Sequence, residues 1–100
     1  HIAFPEPDMM RRIIDVHFPT IDTDLMEKAI SAFYRMRKLD AVEKKPATRE
    51  LLNWIRALRA DPDFKPKQLA KGDLPYLGVL FKKSQDYSRA QSLLNGRRIN

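Results

Sequence analysis

The sequence contains no cysteine, only three glycines and two histidines, and no long apolar run. The lack of cysteine excludes disulfide bridges, thiolate zinc sites and cysteine nucleophiles. No stretch approaches the roughly 20 consecutive apolar residues that a membrane span requires. The first residues also lack the basic stretch and apolar run of a signal peptide. We therefore expect a cytoplasmic protein without a membrane segment, and the missing initiator methionine indicates a piece of a longer chain.

The length and the charge distribution limit what the chain can be. One hundred residues, 43% of them hydrophobic, suffice for a single domain with one modest core. The net charge is +6; the first fifty residues hold nine Lys/Arg and nine Asp/Glu, whereas the last fifty hold ten and four. Such a basic half can meet phosphates or an acidic protein surface, or it can be a solvated face. Composition alone favours the solvated face.

Apolar residues recur at helical spacing in segments separated by proline and glycine. The first predicted helix begins at Pro7 and stops before Pro19. The second starts near residues 20–23, with Asp22 as its N-cap, and runs to about Leu39. Each of these segments carries an apolar stripe that can face a common core.

The third predicted helix begins just after Pro46, with Ala47 or Thr48 as its cap, and ends at Asp61. Trp54 lies in register with the leucines of this helix. That register predicts that the indole is buried in the core and is not a platform for a ligand.

The last third of the chain is more interrupted. A short turn is predicted around residues 66–70, and a fourth helix over residues 73–81 with Asp73 as its cap. Ser84 is the predicted cap of a final helix, and Gly96 is suited to end it because glycine adopts the left-handed backbone found after helices.

These segments together define a fold class. No internal repeat, low-complexity tract or alternating strand pattern occurs in the sequence. We therefore predict an all-α fold, a small bundle of four to five short helices around one core. Residues 1–96 are assigned to this helical domain, and residues 97–100 to a frayed basic tail.

Residues that could support independent catalysis are scarce. His1 is terminal, and His17 is best explained as a cation that stabilises the end of the first helix. No HExxH or GxSxG pattern occurs, and the three glycines do not form the GxxxxGK[ST] loop that binds nucleotide phosphates. We expect no catalytic residue, no metal site and no ATP hydrolysis by this chain alone.

The segment 44–50, Lys-Lys-Pro-Ala-Thr-Arg-Glu, places basic residues around a helix N-terminus. Free backbone N–H groups and the helix dipole favour an anion there, and the guanidinium of Arg49 adds a bidentate donor. The alternative is that Arg49 forms a surface salt bridge with Glu50 or another nearby acid. The residues by themselves favour that alternative.

A second basic feature consists of the pairs Lys82-Lys83 and Arg97-Arg98. They could bind nucleic acid, and this is the rival function from another class: a basic helical module for nucleic acid or an acidic protein. Aromatic residues do not alternate with the basic residues of these pairs, as they would in a stacking platform. Nucleic acid is therefore not the expected partner.

Four short motifs follow one another through the first part of the chain. They are Phe4-Pro5-x-Pro7-Asp8, His17-x-Pro19, Phe33-Tyr34-x-x-Arg37, and Lys44-Lys45-Pro46-x-Thr48-x-Glu50-Leu51-x-x-Trp54. In this order they resemble the C-terminal helical lid of AAA+ ATPases of the MoxR-like group. The match covers about residues 1–60, and Leu74-Pro75-x-Leu77-Gly78-x-Leu80-x-Lys82 fits more loosely.

The resemblance implies a role within a larger protein. The lid would cover ATP, bound with Mg²⁺ by a preceding P-loop domain that this chain lacks. The fragment itself would be no enzyme and bind no cofactor alone. The parent would be an ATPase that forms a homo-oligomeric ring and remodels protein partners, with a von Willebrand-type domain protein among its partners.

The resemblance also assigns individual residues. Arg49 stands where the family has its sensor 2 arginine, which reaches toward the terminal phosphate of ATP. Thr48 and Lys45 lie beside it in the sequence and are assigned to the same nucleotide site. Ala47 departs from the family, in which many members have Ser-Pro-Arg or a Ser-Thr pair at this point.

Overall fold

Helices form every regular element in the described part of the chain, which comprises the backbone of residues 3–99 and the side chains of residues 3–94. In this computed structural model the elements are α1 (Pro7–His17), α2 (Thr23–Arg37), α3 (Thr48–Ala60), α4 (Lys67–Ala70), a 3₁₀ helix (Leu77–Leu80) and α5 (Ser84–Ile99). The predicted all-α fold, a small helical bundle, is confirmed.

Local signals set the ends of the first two helices. Helix α1 begins at Pro7, whose missing N–H costs nothing at that position, and ends at His17. The Asp22 carboxylate accepts a hydrogen bond from the Leu25 backbone N–H at 3.0 Å, which confirms the predicted cap of α2. Helix α2 ends at Arg37, slightly before the predicted end.

Trp54 is the largest completely buried side chain of the described residues, and its burial agrees with its register. Its indole Nε1 donates a hydrogen bond to the Pro75 carbonyl oxygen at 2.7 Å, so the ring's one polar group is satisfied inside the protein. Apart from Pro46, the other large apolar side chains that are completely buried come from α1, α2, α3, α4, the loop before α3 and the 3₁₀ helix: Met10, Ile14, Phe33, Val42, Leu51, Ile55, Leu58, Leu69 and Leu80.

The predicted helix over residues 73–81 is wrong. Only Leu77–Leu80 is helical there, as a single 3₁₀ turn. Tyr76 just before it has left-handed backbone with φ of 60°, a conformation that an α-helix cannot continue through. Asp73 is not a helix cap, because its carboxylate accepts a hydrogen bond from the side-chain amide of Gln68 at 2.7 Å.

The short turn predicted around residues 66–70 is present as α4, but both ends of the last helix differ from the prediction. Helix α5 includes Ser84 as its first residue instead of its cap. It continues through Gly96 to Ile99, so the predicted end at Gly96 is wrong. Glycine tolerates helical backbone at a cost of about 1 kcal/mol relative to alanine, and that cost does not stop a helix.

The helices pack in an arrangement that places α5 at the periphery. Helix α2 contacts α1 and α4, α1 also reaches α3, and α3 packs on the 3₁₀ helix, which in turn contacts α5. The Cα radius of gyration is 13.4 Å, which matches the roughly 13 Å expected of a compact domain of this length. Helix α5 therefore joins the bundle mainly through the 3₁₀ helix.

Trp54→Ala should lower the free energy of unfolding by about 3–5 kcal/mol, because it leaves a large cavity and removes the bond to Pro75. Trp54→Phe, which fills much of the space but lacks the N–H, should cause an intermediate loss. Urea unfolding followed by circular dichroism measures both. Val16→Ala is the matched control, since Val16 is 78% exposed. Equal stability of Trp54→Ala and this control would contradict the central role of the indole.

Candidate functional site

The candidate site is the first turn of α3, where Ala47 is the N-cap and Thr48 and Arg49 are the first two helical residues. Like every helix start, this turn has backbone N–H groups without intrahelical acceptors and the positive end of the helix dipole. Thr48 is half-buried and Arg49 is exposed. The buried Pro46 precedes the cap and fixes the direction from which the chain enters the helix.

Glu50 lies in the same turn but does not pair with Arg49. Its Oε1 accepts a hydrogen bond from the Ala47 backbone N–H at 3.0 Å, and its Oε2 lies 3.9 Å from Nζ of Lys82. The carboxylate is buried, and alanine at the cap cannot supply the reciprocal side-chain bond. Among the side chains of residues 3–94, Arg49 makes no hydrogen bond or ion pair. The alternative in which Arg49 pairs with Glu50 is therefore not observed there.

The loop that leads into α3 is held by the first turn of α5. The fully buried Asp86 carboxylate accepts hydrogen bonds from the backbone N–H groups of Glu43, at 2.8 Å, and Lys44, at 2.9 Å. These two donors stabilise the charged carboxylate and lower the pKa of Asp86 below its ordinary value. Arg89 adds a positive charge 3.6 Å from the carboxylate. The two backbone N–H groups of the loop and the guanidinium of Arg89 thus compensate the buried negative charge of Asp86.

Two exposed contacts reinforce this attachment of α5 to the loop. Nζ of Lys83 donates to the Glu43 carboxylate at 2.5 Å, and the Arg89 guanidinium donates to the Ala41 carbonyl oxygen at 3.4 Å. The hydrogen bond between Lys83 and Glu43 lowers the pKa of Glu43 and raises the pKa of Lys83. Because exposed ion pairs contribute little stability, Asp86 is the main anchor.

Arg37 connects the loop before α3 to the segment before α1. Its guanidinium carbon lies 3.4 Å from the centroid of the Phe4 ring, and the guanidinium donates a hydrogen bond to the Pro46 carbonyl oxygen. Burial lowers the pKa of Arg37 from its ordinary value. The hydroxyl of Tyr34, one turn earlier on the same helix face, donates to the Pro5 carbonyl oxygen at 2.6 Å.

In the sequence, Arg37 stands out only as the end of a motif, and no pattern points to a role for Asp86. Tyr34 and Arg37 are three residues apart and share one face of α2, and this spacing could have indicated that they act together. Nothing local indicated that Asp86, in the first turn of the last helix, would hold a loop 43 residues away.

Lys45 lies in the loop before α3, and its side chain contacts the segment that follows α2. Its ammonium donates a hydrogen bond to the Leu39 carbonyl oxygen, just beyond the end of α2, and the side chain is half-buried. Lysines commonly satisfy the carbonyl groups at helix C-termini in this way. Within the described residues no hydrogen bond or ion pair joins Lys45 to Thr48 or Arg49. Only the latter two are together on the first turn of α3.

The C-terminal basic residues are only partly described. Lys83 is paired with Glu43, and Lys82 lies near Glu50 at 3.9 Å, so acids lie close to the first basic pair. Arg97 and Arg98 lie outside the residues whose side chains the structure describes.

His17 is exposed in the last turn of α1, the position predicted for it. His1 lies outside the described residues. In the described part of the chain, no group of three or more His, Asp or Glu side chains could hold a metal ion. The helices found there are all too short or too polar to cross a membrane.

Comparison with known proteins assigns no role to these residues: no family model, curated protein or solved structure matches the chain. The resemblance to MoxR-like lids therefore rests on the sequence motifs. What the site can do follows from the residues and their contacts.

Asp86→Asn should lower the melting temperature by about 5–15 °C at neutral pH, because an amide offers one acceptor oxygen to two backbone N–H groups. A carboxyl group whose folded pKa lies below its unfolded value of about 3.9 stabilises the fold above that pH. That contribution is lost as the pH falls through the folded pKa. The difference between wild type and variant should therefore narrow below about pH 4.

Thermal unfolding by circular dichroism between about pH 7 and about pH 2 measures this difference. Asp15→Asn, at an exposed position on α1, is the control and should track the wild type. A difference that does not change with pH would show that the Asp86 carboxylate is not the anchor.

Nucleic acid should bind only weakly and without sequence preference, because Lys83 is already paired with Glu43. Each neutralised phosphate releases a counterion, so this binding should disappear near physiological ionic strength. Fluorescence anisotropy with labelled DNA and RNA at increasing salt concentrations measures it. Submicromolar binding that tolerates salt would contradict this prediction.

Proposed function

We propose that this chain is the C-terminal lid of a MoxR-like AAA+ ATPase, which covers and senses ATP bound by a P-loop domain outside this chain. One observation carries the proposal. Arg49, the residue assigned to sensor 2, is exposed on the second position of α3 and makes no ion pair with the side chains of residues 3–94. Its guanidinium is therefore available to an anion.

The chemistry of the turn suits a phosphate group. Free N–H groups and the helix dipole attract an anion, and arginine offers two parallel donors in a planar fork. The one carboxylate in the turn, Glu50, is buried against the Ala47 N–H and close to Lys82, so its repulsion toward an incoming phosphate is reduced. Thr48 adds a hydroxyl at the first helical position.

The residues assigned to the nucleotide differ in how directly they could act. Arg49 would donate to the terminal phosphate when the lid closes, with Thr48 beside it. Lys45 would first have to release the Leu39 carbonyl oxygen, so its contribution is smaller. Bound ATP supplies the terminal phosphate, a contact present before hydrolysis and absent afterwards. The contact between Arg49 and this phosphate would favour the closed lid before hydrolysis, and its loss would allow the lid to open afterwards.

The rest of the proposal concerns the parent protein. We place it in the cytoplasm as a homo-oligomeric ring that remodels protein partners, a von Willebrand-type domain protein among them. The first test is the coding sequence that precedes this chain, which should encode a GxxxxGK[ST] loop. An upstream region without a P-loop would contradict the proposal.

Arg49→Ala in the parent ATPase should lower the rate of ATP hydrolysis about 10- to 100-fold. This factor corresponds to the loss of one charge-assisted hydrogen bond, about 1.5–3 kcal/mol, during turnover. Arg49→Lys should restore little, because an ammonium group cannot reproduce the fork. The melting temperature of the isolated chain should stay unchanged in both variants, since Arg49 has no partner among residues 3–94.

The matched control is Arg56→Ala, an exposed arginine on the same helix whose hydrogen bond goes to Asn53. It should leave hydrolysis unchanged. Normal hydrolysis in Arg49→Ala, together with a less stable isolated chain, would make Arg49 a structural residue and refute the sensor assignment.

A further inference from the structure

An apolar groove runs between α2 and α5, on side chains that the nucleotide proposal does not use. Its apolar walls are Met36 and Leu39 from α2 and its continuation, and Leu93 and Leu94 from α5, and it encloses about 220 Å³. Met36 is buried, whereas Leu93 remains 46% exposed at the edge of the groove. The groove therefore offers an apolar floor that is open to solvent.

Two cations form one rim of this groove. Arg35 and Lys38, three residues apart, line both this groove and a second one of about 310 Å³ between α1 and α2. Within residues 3–94 neither forms an ion pair. Arg11, which also lines the second groove, differs in that its guanidinium contacts the Glu27 carboxylate at 2.6 and 2.8 Å. The charged groups of Arg35 and Lys38 are thus available to the carboxylates of a ligand.

We propose that the α2–α5 groove binds an acidic amphipathic segment of another protein. An apolar side chain of that segment enters between Leu39 and Leu93, and its carboxylates pair with Arg35 and Lys38. Grooves that bind amphipathic helices combine an apolar floor with charges complementary to those of the helix, and this groove has both features. This goes beyond the sensing of ATP, because it uses neither Arg49 nor Thr48.

The lining residues favour a peptide over other anionic ligands. The groove is lined by aliphatic and basic side chains without an aromatic ring, so it offers no stacking platform for nucleobases. Two cations are fewer than the four to eight typical of sites for anionic lipids. A free phosphate would pair with the cations but leave the leucines exposed.

The test uses two fluorescein-labelled helical peptides of about 15 residues that share a leucine face. One carries glutamates on its other face and the second carries lysines in their place. Anisotropy with the complete chain should show that the glutamate peptide binds at least about tenfold more tightly. Its affinity should fall as salt screens the charges. Equal affinity for both peptides, or no binding of either, would overturn the proposal.

Charge reversal tests the rim. The double variant Arg35→Glu/Lys38→Glu should lose at least about tenfold in affinity for the glutamate peptide and gain affinity for the lysine peptide. Such a switch cannot result from unfolding. The control Arg12→Glu/Lys71→Glu changes the same net charge at exposed positions outside the groove. Equal losses in both double variants would show a non-specific charge effect and overturn the proposal.

Leu93→Asp tests the apolar wall of the groove and should abolish binding of the glutamate peptide. Val16→Asp, at a more exposed apolar residue on α1, should leave binding unchanged. Duplex DNA or phosphatidylserine vesicles that bind more tightly than the peptide, and depend on Arg35 and Lys38, would assign the rim to another ligand and overturn the proposal. Arg49→Ala should not change peptide binding, so failure of the nucleotide proposal and failure of this one are distinguishable.

Discussion

The buried indole of Trp54 is the contact from which the arrangement of the C-terminal third follows. It is completely buried and donates a hydrogen bond to the carbonyl oxygen of Pro75, just before the 3₁₀ helix that packs on α3. The 3₁₀ helix in turn provides the surface that α5 packs on. Asp86, in the first turn of α5, accepts hydrogen bonds from the loop that precedes α3. Helix α3 thus positions the elements that fix its own first turn.

The first turn of α3 is held from outside, by groups that do not belong to α3. Arg37 holds the Pro46 carbonyl oxygen from α2, and Asp86 holds two loop N–H groups from α5. These groups satisfy the loop, and Arg49 remains exposed. The α2–α5 groove lies between the same two helices that supply Arg37 and Asp86. The proposed nucleotide site and the proposed peptide groove therefore use different side chains but depend on the same two helices, α2 and α5.

Signals within a few residues predicted the first three helices and the burial of Trp54, because a proline at a helix start, a capping aspartate and an apolar register act locally. The same reasoning failed for Asp73, a good cap in isolation that instead bonds the side chain of Gln68. It failed for Gly96 because glycine permits a helix end without requiring one. The groove and the partners of Asp86 depend on contacts between distant segments, and no local pattern contains them. That Arg49 does not pair with Glu50 could not be predicted either, because the partners of Glu50 include Lys82, which is distant in the sequence.

The attachment of the loop by Asp86 has a consequence for the order in which the protein forms during synthesis. The acceptor lies 43 residues after the first N–H that it binds. Helices α1, α2 and α3 emerge from the ribosome before Asp86 does, because synthesis proceeds from the N-terminus. Until Asp86 emerges, the N–H groups of Glu43 and Lys44 have only water as a partner. The first turn of α3 therefore gains its final geometry late, although most of the helix to which it belongs can form early.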